Sequence, residues 1–169
     1  KAAMTGEMDF AESLRRRVRL LAGLDVAALD AVADAVVLAP GARTLIRTLR
    51  RLGCQCGIVS GGFDFLTDRL TSELGLDFAV ANRLLVHDGQ LTGAVAEPVV
   101  DRAAKAQALR DFARTAGVPL AQTVAIGDGA KHLDMLQTAG LGVAFNAKPV
   151  VRDAADTALN GPYIDTILF

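Results

Sequence analysis

From Pro40 onward, stretches with helical apolar spacing alternate with short apolar runs, an order that few folds accommodate. Leu45, Ile46, Leu49 and Leu52 recur at helix spacing and stop at Gly53. Residues 54–60 read as a buried strand ending in Ser60-Gly61-Gly62. Residues 63–74 are helical and are closed by Gly75, and 78–81 form the next strand candidate. Residues 83–87 and 90–95 flank Asp88-Gly89, the strongest hairpin signal in the chain. A helix over 102–115 follows, then a strand over 123–126 that runs into Gly127-Asp128-Gly129. A helix over 130–139, a strand over 141–145 and short helices over 149–154 and 163–169 complete the series. Helices alternating with apolar strands predict an α/β fold, a parallel sheet covered on both faces with a β-hairpin insertion. Ahead of Pro40, residues 9–22 and 25–36 read as two amphipathic helices, with Phe10, Leu14, Val18 and Leu21 on one face and Asp25 as an N-cap. Residues 1–39 are therefore expected to be a small helical cap and 40–169 the core.

Composition narrows the function classes. At 51% hydrophobic and 22% charged, 169 residues can build a core unaided. A net charge of -1 argues against nucleic-acid binding by bulk charge, and 5% aromatics with no Trp against a base-stacking platform. No uncharged apolar run approaches the ~18 residues that span a bilayer. Lys1–Glu7 lacks the apolar stretch of a signal peptide. Two cysteines make no disulfide framework and point to a reducing compartment, so a cytoplasmic setting is expected.

Ligands of such sheets bind at the carboxyl ends of strands, and two strand ends here are Gly-rich and polar. Ser60-Gly61-Gly62 offers a hydroxyl and unobstructed N–H groups ahead of a helix, which suits an anion and equally suits a tight turn. Gly127-Asp128-Gly129 places a carboxylate where it can meet a metal or phosphoryl group, or cap the next helix. Lys105 sits in a first helical turn, against the helix dipole. Asp134 is expected to be solvated, as are His87 and most of Arg15-Arg16-Arg17. Cys54 and Cys56 are expected to be buried thiols on one strand face, and Lys148-Pro149 to start a helix near the site mouth. A dinucleotide fingerprint at Gly127 is set aside because His132 stands where its third Gly belongs. A phospho-receiver site is set aside because the order Ser60, Lys105, Asp128 is wrong for one.

Taken in order, several blocks resemble the phosphoserine phosphatases of the haloacid dehalogenase-like superfamily. They are Met4-Thr5-Gly6-Glu7-Met8-Asp9-Phe10, Ser13–Val18, Val59-Ser60-Gly61-Gly62-Phe63, Leu74-Gly75-Leu76-Asp77, Asp88–Gly93, Lys105, Gly127-Asp128-Gly129-Ala130 and Ala144–Pro149. The resemblance covers nearly the whole chain. It implies a Rossmann-like fold and magnesium-dependent hydrolysis of O-phospho-L-serine, the last step of serine biosynthesis, through an aspartyl-phosphate. Phe10 and Arg17 would meet the amino-acid end of the substrate, and Ser60, Gly61 and Gly62 its phosphate. Lys105 would neutralise phosphate and nucleophile, and Asp128 would ligate Mg²⁺. A homodimer and an upstream regulatory domain stay open.

The chain departs from the family in two places. Residues 1–169 contain no D-x-D-x-T motif, which carries the family's nucleophile and general acid. That motif's strand lies between the strands ending at Ser60 and Asp128, so its absence should leave a slot of about 10 Å. The expectation is a fragment, or a chain whose slot another polypeptide fills, inactive by itself. The second departure is Lys131-His132, where the family reads Asn-Asp. Lys131 falls at a substrate-facing position and His132 beside the metal. At an effective dielectric near 20, a unit charge 4 Å away is worth about 4 kcal/mol, enough to weaken magnesium binding. The alternatives are a non-catalytic relative that binds phosphoserine or a similar anion, and a phosphatase for another small phosphomonoester.

Overall fold

The computed structural model describes residues 2–169, with side chains from Phe10 onward. Residues 4–9 of the first quoted block lie outside the described side chains. The order of elements is α1 (Ala2–Arg19), α2 (Ala27–Asp34), α3 (Ala42–Arg51), β1 (Gly57–Phe63), α4 (Asp64–Leu74), β2 (Phe78–Asn82), β3 (Leu84–His87) and β4 (Gln90–Val95). It continues with α5 (Arg102–Ala116), β5 (Val124–Gly127), α6 (Leu133–Thr138), β6 (Leu141–Phe145), α7 (Pro149–Arg152) and β7 (Thr157–Leu159). The α/β order read from the sequence is the order of the molecule.

The parallel sheet comes in two pieces. β1 pairs with β2, and β5 pairs with β6, which pairs with β7, all parallel. Among the described residues no ladder joins β1 to β5. Their facing edges line one cleft of about 600 Å³, with residues 57–62 on one side and Val124, Ala125 and Ile126 on the other. A single continuous parallel sheet is thus replaced by two sheets with a slot between them.

Two apolar clusters hold the fold. Leu109, Ala125, Leu133, Leu136, Ala144 and Val151 bury α5, α6 and α7 against the β5–β6 side. Leu14 and Val18 of α1 pack with Leu84, Leu91 and Val95 of the β3–β4 hairpin, so the hairpin shares a core with the N-terminal helix. Gly93 permits that contact. At φ 77° it lies in the left-handed region, and a Cβ there would come 2.8 Å from Ala22 Cβ. Asp88 (φ 48°) and Gly89 (φ 75°) form the expected hairpin turn.

Several expectations are corrected. The strand expected at 54–60 begins at Gly57, because Gly53 (φ 82°) and Cys54 close α3. Cys54 N–H donates to Leu49 O at 3.0 Å. Cys54 is therefore exposed and only Cys56 is buried. Ser60-Gly61-Gly62 is no tight turn. It lies inside β1, which stays extended to Phe63 while its register against β2 shifts after Val59. The helix expected at 130–139 is split into a 3₁₀ turn, Ala130–His132, and α6, because His132 (φ −106°, ψ −7°) turns back toward Asp128. The second helix is shorter than 25–36. Asp25 caps it from outside, its Oδ1 accepting from Ala27 N at 2.8 Å. The last segment is a 3₁₀ turn, Ile164–Leu168. β7 carried no sequence signal, being three residues long at the sheet margin.

Candidate active site

The slot is also where the candidate residues meet. Phe10, Arg17, Ser60, Gly61, Gly62, Lys105, Lys131 and His132 all line the cleft. Phe10 and Arg17 reach it from α1, about two turns apart, Phe10 half-buried and Arg17 exposed. Ser60, Gly61 and Gly62 come from the end of β1. There Ser60 Oγ accepts from Gly62 N at 2.9 Å, which fixes the hydroxyl over the strand end.

Lys105 comes from the first turn of α5. Asp101 caps that helix, accepting from Ala104 N at 2.8 Å, and so sets the direction of the turn. Lys105 is 2% exposed, and among the described residues its Nζ has no hydrogen-bond partner. A Cβ built on Gly61 would lie 3.8 Å from that Nζ and 3.3 Å from Phe10 Cζ. Glycine at 61 therefore leaves open a space that the ammonium and the Phe10 ring both border. Burial, then the charge of Lys131, lower the Lys105 pKa to about 8, while Asp128 pulls the other way. At neutral pH Lys105 is a buried cation that makes no hydrogen bond among the described residues, the arrangement that favours an incoming anion.

His132 forms the opposite wall, with Asp128, an exposed carboxylate outside the lining, beside it. His132 Nε2 lies 3.3 Å from Asp128 Oδ1, and a Cβ on Gly127 would come 2.6 Å from His132 Cβ, so the imidazole lies against the bare glycine. Burial, then the charges of Lys105 and Lys131, push the His132 pKa down to about 4. Its ring is neutral at pH 7, its Nε2–H faces Asp128, and its buried Nδ1 is left without a partner. Asp128 does not cap the following helix, the other role its position allowed, since the N-cap is Gly129.

A hard divalent cation wants several oxygen ligands. Among the described residues no three His, Cys, Asp or Glu side chains gather into a possible metal site. The cleft offers one imidazole and two lysines, with the Asp128 carboxylate beside the imidazole.

Two features escaped sequence reasoning. Asn82, 1% exposed at the end of β2, donates from Nδ2 to Gly61 O at 3.0 Å and accepts Val100 N on Oδ1 at 2.7 Å. It ties the cleft-lining end of β1 to the segment leading into Lys105. No sequence signal marks a strand-end Asn for that role. Asp134, expected to be solvated, is half-buried and accepts from Arg102 Nε at 2.6 Å, clamping α6 to α5. His87 is exposed as expected.

Three comparisons bear on this geometry. A family model described as haloacid dehalogenase-like hydrolase matches residues 2–137. The phosphoserine phosphatase of Streptomyces coelicolor is 66% identical over 168 residues, which are 99% of this chain and 41% of that protein. Phosphoserine phosphatase SerB2 of Mycobacterium tuberculosis is 60% identical over 169 residues, 100% of this chain and 41% of its own length. The chain thus spans about two-fifths of these curated relatives. The crystal structure of a probable phosphoserine phosphatase from Vibrio cholerae, in unliganded form, superposes with a TM-score of 0.92 at 40% identity, covering 98% of this chain and 51% of that one.

Proposed function

Since the chain belongs to the haloacid dehalogenase-like hydrolase family, we propose that it is the substrate-holding part of a phosphoserine phosphatase. The reaction is hydrolysis of O-phospho-L-serine to serine and phosphate. The observation that carries the reading is Lys105, a buried ammonium without a hydrogen-bond partner among the described residues, lining the cleft that Ser60, Gly61 and Gly62 also line. The phosphate takes its place beside that ammonium and the β1 strand end. Phosphoryl transfer needs mainly positioning and compensation of spread negative charge, and a fixed cation with hydroxyl and backbone donors supplies both. Arg17 has the forked geometry for the substrate carboxylate, and the Phe10 ring bounds the space beside Gly61.

The slot between β1 and β5 is read as the seat of an extended strand carrying two carboxylates. One attacks phosphorus to form the aspartyl-phosphate, and the other passes protons to the serine leaving group and from the attacking water. Residues 1–169 carry no D-x-D-x-T segment, so by themselves they hold the substrate and do not turn it over. Asp128 is the chain's own contribution to a metal site, and Lys131 with His132 keeps magnesium affinity low. A cytoplasmic setting, a homodimer and an upstream domain belong to the same proposal.

The test is phosphate release from O-phospho-L-serine by a protein in which a D-x-D-x-T segment precedes these residues. Turnover that disappears with Lys105→Met supports the phosphatase. The Lys131-His132 pair favours a second reading, a binding protein for phosphoserine or a like anion. Tight retention without hydrolysis in the extended protein would decide for it. Turnover of other small phosphomonoesters but not of O-phospho-L-serine would move the substrate assignment.

A further inference from the structure

α3 turns four guanidiniums to one side. At 100° per residue Arg43, Arg47, Arg50 and Arg51 fall within an arc of about 100°. All four are exposed, and with Glu73 and Leu74 of α4 they line a groove of about 540 Å³. It shares no lining residue with the Lys105 cleft. Glu73 pairs with Arg43. Among the described residues Arg47, Arg50 and Arg51 form no ion pair, so four guanidiniums face one carboxylate.

That density needs a reason. The chain as a whole is near neutral, with 18 basic and 19 acidic residues. Arg43 with Arg47, Arg47 with Arg50, and Arg47 with Arg51 are helix neighbours of like charge, and each such pair destabilises a helix. The negative end of the helix dipole compensates Arg50 and Arg51, which lie in the last turn, but not Arg43 or Arg47. The guanidinium of exposed Arg50 lies beside Gly75, at the end of α4. The groove has an apolar floor at Leu74 and a side-chain charge balance of four guanidiniums to one carboxylate.

We propose that this groove is a second anion site that takes a polyphosphate, free or as the di- or triphosphate of a nucleotide. Planar guanidinium forks bind phosphate oxygens two at a time. Several forks along one helix face match a chain of phosphates, whereas a single orthophosphate reaches only one or two of them. This inference is independent of the function proposed above.

The experiment is calorimetric titration of the protein with inorganic tripolyphosphate, ATP and orthophosphate at low ionic strength. The variants are Arg47→Gln with Arg51→Gln, and separately Lys105→Met. Both arginines are exposed, so the double variant should keep its unfolding midpoint. The expected result is saturable binding of one tripolyphosphate per chain, weakened at least tenfold in the double variant and by added salt, and unchanged in Lys105→Met. ATP binding as tightly as tripolyphosphate assigns the nucleotide form, and tripolyphosphate alone the inorganic one. No saturable binding, equal binding by the double variant, loss in Lys105→Met, or retention of RNA without tripolyphosphate binding each overturns the proposal.

Discussion

Asn82 holds Gly61 from behind. Its amide nitrogen donates to Gly61 O at 3.0 Å while its amide oxygen accepts from Val100 N at 2.7 Å. One buried side chain thus spans the two segments that present the cleft's strand end and its lysine. Because both partners are backbone groups, an apolar replacement would leave a carbonyl and an N–H without their bonds. Asn82→Leu is expected to lower unfolding stability by about 3 kcal/mol. Asn82→Asp keeps the acceptor for Val100 N and loses the donor, so it should fall between the two. Denaturant melts of the three proteins check the order.

Lys105 should confer a pH dependence of definite sign. Its folded pKa of about 8 lies below its ordinary 10.5. Between those values the unfolded chain binds more protons, so stability rises as pH climbs from about 8 to 10.5. Anion binding runs the other way, weakening above pH 8 as the ammonium is lost. In Lys105→Met the rise in stability should be absent. Melts and phosphate titrations across pH 7–10 read both slopes.

The contact between Gly127 and His132 predicts a coupling. A methyl group at 127 would press on His132 Cβ at 2.6 Å. Gly127→Ala should cost about 1–3 kcal/mol. Most of that loss should vanish when His132→Gly is added, since the crowding Cβ is then gone. Additive losses in the double variant would place the strain elsewhere.

Metal affinity should respond to the Lys131-His132 pair. Lys131→Asn with His132→Asp removes a cation beside Asp128 and adds an oxygen donor. Manganese, a spectroscopically visible hard cation, should bind at least tenfold more tightly to the double variant than to the unaltered protein. Equal affinity in paramagnetic titrations would show that the pair does not govern the metal.

The sequence disclosed the parts that rest on local chemistry. Ser60, Gly61, Lys105 and Asp128 stood out because glycines at strand ends and a lysine in a first turn are locally unusual, and the first three line one cleft with His132, which reaches Asp128. Helix limits were legible where glycine closes a helix, as at Gly53 and Gly75. Tertiary pairings were not. Arg102 and Asp134 lie 32 positions apart, and Asn82 gains its role only when Gly61 and Val100 are brought to it. The break between β1 and β5 was foreseen through the family resemblance, not through periodicity. The extension of β1 through Ser60-Gly61-Gly62 was missed because three small residues in a row read equally as turn or strand.

The central claim is that the cleft holds an amino-acid phosphate through Lys105. Calorimetric titration of the protein with O-phospho-L-serine at pH 7, beside Lys105→Met, tests it most directly. The account predicts saturable binding of one ligand per chain that falls at least tenfold in the variant. Equal affinity in the two proteins would contradict it.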